Sequence, residues 1–349
     1  MPAVGDGGAA FAAFLAEKRP LIEAFIGSHM PAPLAEELTS GDLDRYLYAP
    51  LARFTASGGK RTRPALCLLG CEAVGGDGER ALSSAAAIED FQSAALIHDD
   101  IADESELRRG KPCVYRSEGT GVAINVGDLA LVTVTAKVLR DGTLEPSVRL
   151  RVLDELVSME ERTLEGQALD LGWARDDRWD VSTSDYLCMA SHKTAFYSAA
   201  TPLSVGAICG GGTDEQVDAL GSFGMDAGLA FQLQDDLLNL VGDATSQGKD
   251  FRSDITEGKR TMIVAWAIEH LSGGEKDELV SILSSHATDP ATLGRGVELM
   301  VASGAIDAVR EYARSLARSA KDSLSGVELA GDTRRVLESM ADFFVERTD

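Results

Sequence analysis

Aromatic residues and cysteines are scarce in this sequence. Aromatic side chains account for 6% of the 349 residues, and there are five cysteines. The cysteines form no CxxC pair and have no matching histidine spacing, which fits reduced, buried thiols better than a zinc site or a disulfide framework. Because no basic signal region precedes an apolar run at the N-terminus, we expect a cytoplasmic protein.

Positively charged residues are also few relative to negatively charged ones. Lysine and arginine number 33 against 56 aspartates and glutamates, so the formal net charge is −23. This balance argues against nucleic acid and anionic membrane surfaces as partners, since both require a positive footprint. The longest uncharged stretch, residues 194–213, contains Pro202 and several glycines. It is too weakly hydrophobic for a transmembrane segment and predicts a buried central helix.

The chain has no low-complexity linker that would divide it. We therefore predict a single domain over residues 1–349, with the small and glycine-rich residues 1–8 disordered. Apolar residues recur at helical rather than alternating spacing, which predicts an all-α fold.

One acidic stretch stands out, Asp99-Asp100-Ile101-Ala102-Asp103, at the end of an alanine-rich run that predicts a helix. In a helix, Asp99 and Asp103 are four residues apart and project from one face. Like charges at this spacing repel, so a cation between them is expected, and hard divalent ions prefer carboxylate oxygens. Taken alone, the pattern equally fits a solvated acidic helix end.

A second acidic stretch strengthens the metal hypothesis. Residues 231–239, FQLQDDLLN, again follow an apolar helical run and place oxygen-bearing side chains at i and i+4. Cations recur elsewhere in GGKRTRP at 58–64, in RRGK at 108–111, and at Lys193, Lys249 and Lys259. Carboxylate pairs, bridging magnesium and Arg/Lys clamps together describe a diphosphate site.

From residue 57 to 261 the chain resembles the trans-isoprenyl diphosphate synthase family. The resemblance rests on GGKRTRP, DDIADESELRRGKP, GTGVAINVGD, GQALDL, HKT, FQLQDD and GKDFRSDITEGKRT, which occur in the family's order. It implies an isoprenoid synthase helical bundle around a central cavity. It also implies condensation of isopentenyl diphosphate with an allylic diphosphate, and a homodimer.

The resemblance implies Mg²⁺ as the cofactor, with three ions per active site. The direct ligands implied are Asp99, Asp103 and Asp235, with Asp100 and Asp236 beside them. The chain departs from the family at Asn239, where most relatives have aspartate. Asparagine still offers a carbonyl oxygen but removes one negative charge, so weaker magnesium affinity is expected.

The family's substrate-binding roles transfer to matching positions. Isopentenyl diphosphate is expected to contact Gly59, Lys60, Arg63, Gln92 and Arg109. The allylic diphosphate is expected to contact Arg108, Lys193, Thr194, Lys249 and Lys259. Gln167 and Asp170 are expected to lie near the allylic substrate, and Gln232 is expected to bind substrate. Catalysis is assigned to Asp99, Asp103, Arg108, Lys193, Asp235 and Lys259, which stabilise the departing diphosphate.

The sizes of the side chains along the helix that ends at the first acidic stretch also predict the length of the product. Ala95 and Ala94 lie about one turn below Asp99, and Phe91 lies roughly 12 Å below it. Small residues followed by a large one predict a twenty-carbon product, geranylgeranyl diphosphate, with Phe91 as the floor of the tunnel. An ordinary core position for Phe91 is the alternative, since aromatic core residues are common.

Other functions remain open at this point. A farnesyl or longer-chain polyprenyl diphosphate synthase has the same motifs. A terpene cyclase shares the fold and the first acidic motif but has no use for GGKRTRP and Arg109. A non-catalytic regulatory subunit of a heteromeric synthase usually loses its acidic ligands, and here Asn239 alone favours it.

Overall fold

The computed structural model describes residues 6–34, 40–242 and 252–347. Helices dominate these residues, and the strands among them form one hairpin of two residues each, so the all-α prediction is confirmed. The helices are α1 Ala9–Ser28, α2 Ser40–Leu43, α3 Ala49–Thr55, α4 Thr62–Ala73, α5 Leu82–Ala102, α6 Val114–Glu118, α7 Thr120–Leu139, α8 Pro146–Arg175, α9 Thr183–Ala190, α10 Thr201–Gly210, α11 Asp214–Val241, α12 Ser253–Thr256, α13 Met262–His270, α14 Gly273–Ser284, α15 Pro290–Ala302, α16 Ala305–Ser323 and α17 Thr333–Glu346. The strands are β1 Leu107–Arg108 and β2 Lys111–Pro112, and π-helical segments span Asp44–Tyr48 and Ser191–Ala200.

The chain divides into two compact units. The first unit comprises Met1–Ala13, Val157–Thr201 and Asp218–Asp349, and the second comprises Phe14–Leu156 and Pro202–Val217. The single domain predicted over residues 1–349 stays a prediction.

In the second unit, α5 packs along α7 and against α4. The alanine-rich sequence of α5 allows a close approach, and a Cβ atom on Gly127 of α7 would lie 2.2 Å from His98 Nε2 of α5. Ala94 and Ile97 of α5 and Val126 and Ala130 of α7 are buried together in this core. The packing fixes the end of α5 that bears the first acidic motif.

The helix α7 is, among the described residues, long and apolar enough to cross a membrane by length and composition. Core helices of soluble proteins pass the same test, and 39% of this stretch is buried. The stretch 194–213, flagged in the sequence, instead comprises most of the π-helical segment and α10, and most of its residues are buried as expected.

In the first unit, α17 packs on the N-terminal residues. The ring of Phe11 lies 5.5 Å from that of Phe343 and 5.9 Å from that of Phe344. The Ser339 hydroxyl accepts from the Phe11 amide at 3.1 Å and donates to the Gly7 carbonyl at 2.6 Å. Of the residues expected to be disordered, Asp6–Gly8 form a 3₁₀ turn, and residues 1–5 lie outside the described part.

Local sequence signals and the structure agree at one helix start and differ at one cysteine. Ser182 and Asp185 form the capping box of α9, as their spacing indicates.

All five cysteines are free, which confirms the absence of disulfides. The expectation that all are buried is wrong for Cys188, which is exposed on α9.

Candidate active site

The GGKRTRP segment forms a tight loop at the start of α4 in the second unit. Gly58 and Gly59 have φ of 102° and 147°, values that favour glycine. Arg61 also has a positive φ, 54°, and it is buried, paired with Glu89 of α5 and donating to the Thr55 carbonyl at 2.7 Å. These contacts anchor the loop and leave the Lys60 side chain at the surface.

Gln92 of α5 links the loop to the same glutamate. With its amide oriented so that donors meet acceptors, Gln92 donates to Glu89 Oε2 at 3.3 Å and accepts from Arg63 Nη1 at 2.9 Å. Arg63 and Gln92, each expected to contact isopentenyl diphosphate, are therefore adjacent. Glu89, which the sequence did not single out, contacts both Arg61 and Gln92.

Arg109 joins this basic group through the hairpin. Arg109 and Gly110 are the two turn residues between β1 and β2, with φ of 53° and 74°, as a type I′ turn requires. Arg109 Nη1 donates to Ser57 Oγ at 3.3 Å, and its Nη2 lies 3.3 Å from the Cβ position of Gly59. Burial lowers the pKa of Arg109, and the nearby charges of Arg61, Arg108 and Arg63 lower it further. Because these partly buried cations repel one another, they favour the binding of an anionic ligand.

Arg108, the preceding residue, faces the first acidic motif. Its Nε and Nη2 donate to Asp100 Oδ1 at 2.9 and 2.6 Å. The Asp100 carboxyl is buried, and its Oδ2 has no hydrogen-bond partner among the described residues. Asp100 therefore sits behind the motif as a support for Arg108.

Asp99 and Asp103 lie at the end of α5, as predicted. The Asp103 amide donates to the Asp99 carbonyl at 2.8 Å, so the helical spacing extends across the motif. Below them, Ala95 is half-buried, whereas Ala94 and Phe91 are buried. The order of small and large residues along α5 thus remains as the sequence placed it.

In the first unit, six predicted residues line one cavity of about 110 Å³: Asp170, Lys193, Thr194, Gln232, Asp236 and Lys259. Tyr186 and Asp254 also line it. Lys193, in the π-helical segment, forms an ion pair with Asp170 of α8. Gln167 is half-buried three residues before Asp170, one helical turn away on α8. Lys249 lies outside the described residues.

The Asp236 carboxylate is buried at the wall of this cavity. It accepts from Tyr186 Oη at 2.6 Å and from Gln232 Nε2 at 2.8 Å. Burial, followed by the charge of Asp254, raises the pKa of Asp236 well above its usual range. Burial likewise raises the pKa of Asp254, and Lys259 Nζ lies 3.4 Å from Asp254 Oδ1. These acids repel one another, and a cation would relieve the repulsion.

The two remaining members of the second acidic motif have protein partners. Asp235 forms an ion pair with Arg347, a residue the sequence analysis missed. Asn239 Nδ2 donates to Ser253 Oγ at 3.1 Å, and its Oδ1 accepts from the Asp254 amide at 3.3 Å. Its amide thereby holds the start of α12 by one donated and one accepted hydrogen bond.

The acidic side chains described above can hold a magnesium ion only together with oxygen atoms that a bound ligand or water supplies. Within residues 6–34, 40–242 and 252–347, no three His, Cys, Asp or Glu side chains are grouped to hold a metal by themselves. Magnesium is usually bound by one or two carboxylates together with phosphate oxygens and water. Within the first unit, the repelling carboxyls of Asp236 and Asp254 therefore suit an ion that arrives with a diphosphate.

Carboxylates on helices with lysines and arginines close by are typical of metal-assisted enzymes that act on diphosphate esters. Comparison with known proteins narrows this class. The family model described as polyprenyl synthetase matches residues 44–300. The chain therefore belongs to the polyprenyl synthetase family, and it is a prenyltransferase.

Individual relatives agree with this assignment. The geranylfarnesyl diphosphate synthase of Natronomonas pharaonis is 36% identical, over 96% of this chain and 97% of its own. The solved geranylgeranyl pyrophosphate synthetase of Pyrococcus horikoshii is 35% identical with a TM-score of 0.86, covering 97% of this chain and 98% of that one. A geranylgeranyl pyrophosphate synthase from Corynebacterium glutamicum, solved with isoprenyl diphosphate and magnesium, is 30% identical with a TM-score of 0.80, covering 97% of both chains. These matches confirm the helical-bundle fold.

Proposed function

We propose that this protein joins isopentenyl diphosphate head-to-tail to an allylic diphosphate in a magnesium-dependent reaction. The observation with the most weight is the cavity of the first unit, where two acids, two lysines, a threonine and a glutamine named from the sequence converge. The buried Arg61–Glu89 pair behind the loop of Lys60 and Arg63 supports a second diphosphate contact.

In this proposal the residues of the chain act by binding and by electrostatics. Arg108, Lys193 and Lys259 stabilise the negative charge that develops on the allylic diphosphate as its C–O bond breaks. Lys60, Arg63 and Arg109, with Gly59 and Gln92, hold isopentenyl diphosphate so that its double bond attacks the allylic carbon. The new C–C bond leaves a cation, and the released diphosphate accepts the proton that it loses.

Three magnesium ions would neutralise the diphosphate and act as Lewis acids on its oxygens. Asp99, Asp103 and Asp235 are the proposed direct ligands, with Asp100 and Asp236 behind them. Asn239 stays a prediction as a ligand.

We infer a twenty-carbon product, geranylgeranyl diphosphate. The half-buried Ala95 leaves space one turn below Asp99, and the buried Phe91 lies one turn deeper on the same helix. The names of the relatives specify twenty-carbon and twenty-five-carbon products, and these two products differ by one isoprene unit.

The test incubates the purified protein with magnesium, labelled isopentenyl diphosphate and, separately, dimethylallyl, geranyl and farnesyl diphosphates. The products are then dephosphorylated and sized. A dominant twenty-carbon alcohol supports the proposal in full, whereas a twenty-five-carbon alcohol retains the reaction but refutes the floor. Absence of product from every primer would favour a non-catalytic subunit.

We also propose a cytoplasmic homodimer. Leu150, Val157, Leu164 and Leu171 recur every seven residues along α8, and all four are exposed, between 41% and 67%. A seven-residue repeat places apolar side chains along one face of a helix. A second copy of this chain, as the family resemblance implies, would cover that face. The five free cysteines support a reducing compartment.

A further inference from the structure

The residue that follows α17 contacts the second acidic motif. Arg347 is 7% exposed, and its guanidinium forms an ion pair with Asp235 Oδ1. The two residues are 112 positions apart in sequence. Nothing in the proposed reaction uses this arginine.

Arg347 is held by more than that ion pair. Its Nη2 donates to the Phe231 carbonyl at 3.2 Å, and its guanidinium carbon lies 4.0 Å from the centre of the Phe231 ring. Its own carbonyl accepts from Gln234 Nε2 at 2.9 Å. The Phe231 ring in turn packs on Phe344, 4.8 Å away, so α17 is joined to the turn of α11 that precedes Asp235.

Asp235 differs from its partner in exposure. Its side chain is 43% exposed, whereas that of Arg347 is 6% exposed. Arg347 contacts one carboxylate oxygen, Oδ1, and among the described residues none contacts Oδ2 by a hydrogen bond or ion pair. Asp236, the next residue of α11, and Asp254 line one cavity, so two further carboxyls accompany the pair in the first unit.

Two roles for the arginine are conceivable. In the first role Arg347 is a plug, meaning that it occupies Asp235 in the free protein and leaves when a metal binds. Removing a buried guanidinium from its carboxylate, ring and carbonyl partners is, however, costly in free energy. As a fixed partner, it would hold Asp235 by one oxygen and leave the other for a metal. The anchoring of Arg347 on three sides favours the fixed partner.

We propose that Arg347 is a positioning residue for the metal site at Asp235. It orients the carboxylate and balances its charge among the neighbouring acids, as partners of metal-binding carboxylates do in other proteins. This inference rests on the proposed function, because it takes Asp235 as a metal ligand.

The test measures Mn²⁺ binding by electron paramagnetic resonance, in the presence of inorganic diphosphate, for the wild type and for Arg347→Ala, Arg347→Lys and Arg335→Ala. Arg335 is the matched control, because it lies on α17 but is exposed and pairs with Asp332. We expect Arg347→Ala to weaken Mn²⁺ binding about tenfold, Arg347→Lys to recover part of the loss, and Arg335→Ala to have no effect.

Asp235→Asn is measured in parallel to define the signal of this site. Tighter Mn²⁺ binding by Arg347→Ala would show a plug and overturn the proposal, as would unchanged binding accompanied only by a lower melting temperature. Unchanged binding by Asp235→Asn would also overturn it. Failure of the proposed function is distinguishable, since it appears as a wild type that forms no prenyl product.

Discussion

At the scale of single residues, Phe91 decides how far a growing chain can extend along α5 in our proposal. Phe91→Ala removes the floor and should shift the product beyond twenty carbons, at a cost of about 3 kcal/mol in stability. The measurement is the chain length of the dephosphorylated product with farnesyl diphosphate as primer. Ala94→Gly, which removes only a buried methyl group, is the control, and a product of unchanged length in Phe91→Ala would refute the floor.

Glu89 is the buried partner of the basic loop. Glu89→Gln leaves Arg61 without its counter-charge, so we expect a loss of roughly 3 kcal/mol in stability. The loop of Lys60 and Arg63 should also lose its anchor, which predicts a KM for isopentenyl diphosphate about tenfold higher with a smaller change in kcat.

The double variant Glu89→Gln/Arg61→Met separates the two effects. Removing both partners of a buried ion pair often recovers stability. We expect its melting temperature to rise towards that of the wild type while the KM stays high. Recovery of both quantities would mean that the pair serves stability alone.

At the scale of elements, the close approach of α8 to the π-helical segment positions Lys193. A Cβ atom at Gly166 would lie 2.2 Å from the Lys193 amide nitrogen and 2.7 Å from its Cα. Gly166→Ala should therefore displace the segment, destabilise the protein by roughly 1–3 kcal/mol and weaken the allylic diphosphate's binding. Thermal unfolding and the KM for the allylic substrate test this.

Gly172 on the same helix is the matched control. An added Cβ there meets nothing within 4 Å. Gly172→Ala should stabilise the protein by roughly 0.5–1 kcal/mol, because alanine loses less backbone entropy in a helix. If Gly166→Ala behaved like Gly172→Ala, the close approach would not constrain Lys193.

At the scale of the whole molecule, the apolar face of α8 predicts self-association. Leu164 is 66% exposed, so Leu164→Arg should leave the fold of one chain intact while placing a charge in the proposed dimer contact. We expect a monomer by light scattering after size-exclusion chromatography, with an unchanged helical circular-dichroism spectrum. Leu164→Met, which keeps an apolar side chain, should remain dimeric, and a dimeric Leu164→Arg would exclude this face.

The amino-acid sequence was enough to predict the helical class, the helix that ends at Asp99–Asp103 and the class of chemistry. These features depend on signals within a few residues, such as the Ser182–Asp185 capping box and the four-residue spacing of Asp99 and Asp103. The hairpin that presents Arg109 was missed because its turn uses a positive φ at an arginine rather than an Asn-Gly or Asp-Gly pair.

The tertiary structure alone decided which side chains support the functional ones. Arg61 meets Glu89 across 28 positions, Tyr186 meets Asp236 across 50, and Arg347 meets Asp235 across 112. No local periodicity encodes such pairs, because they form only when packed helices bring distant segments together. Burial then sets their strength, since a charged or polar group removed from water must find its partner inside the fold.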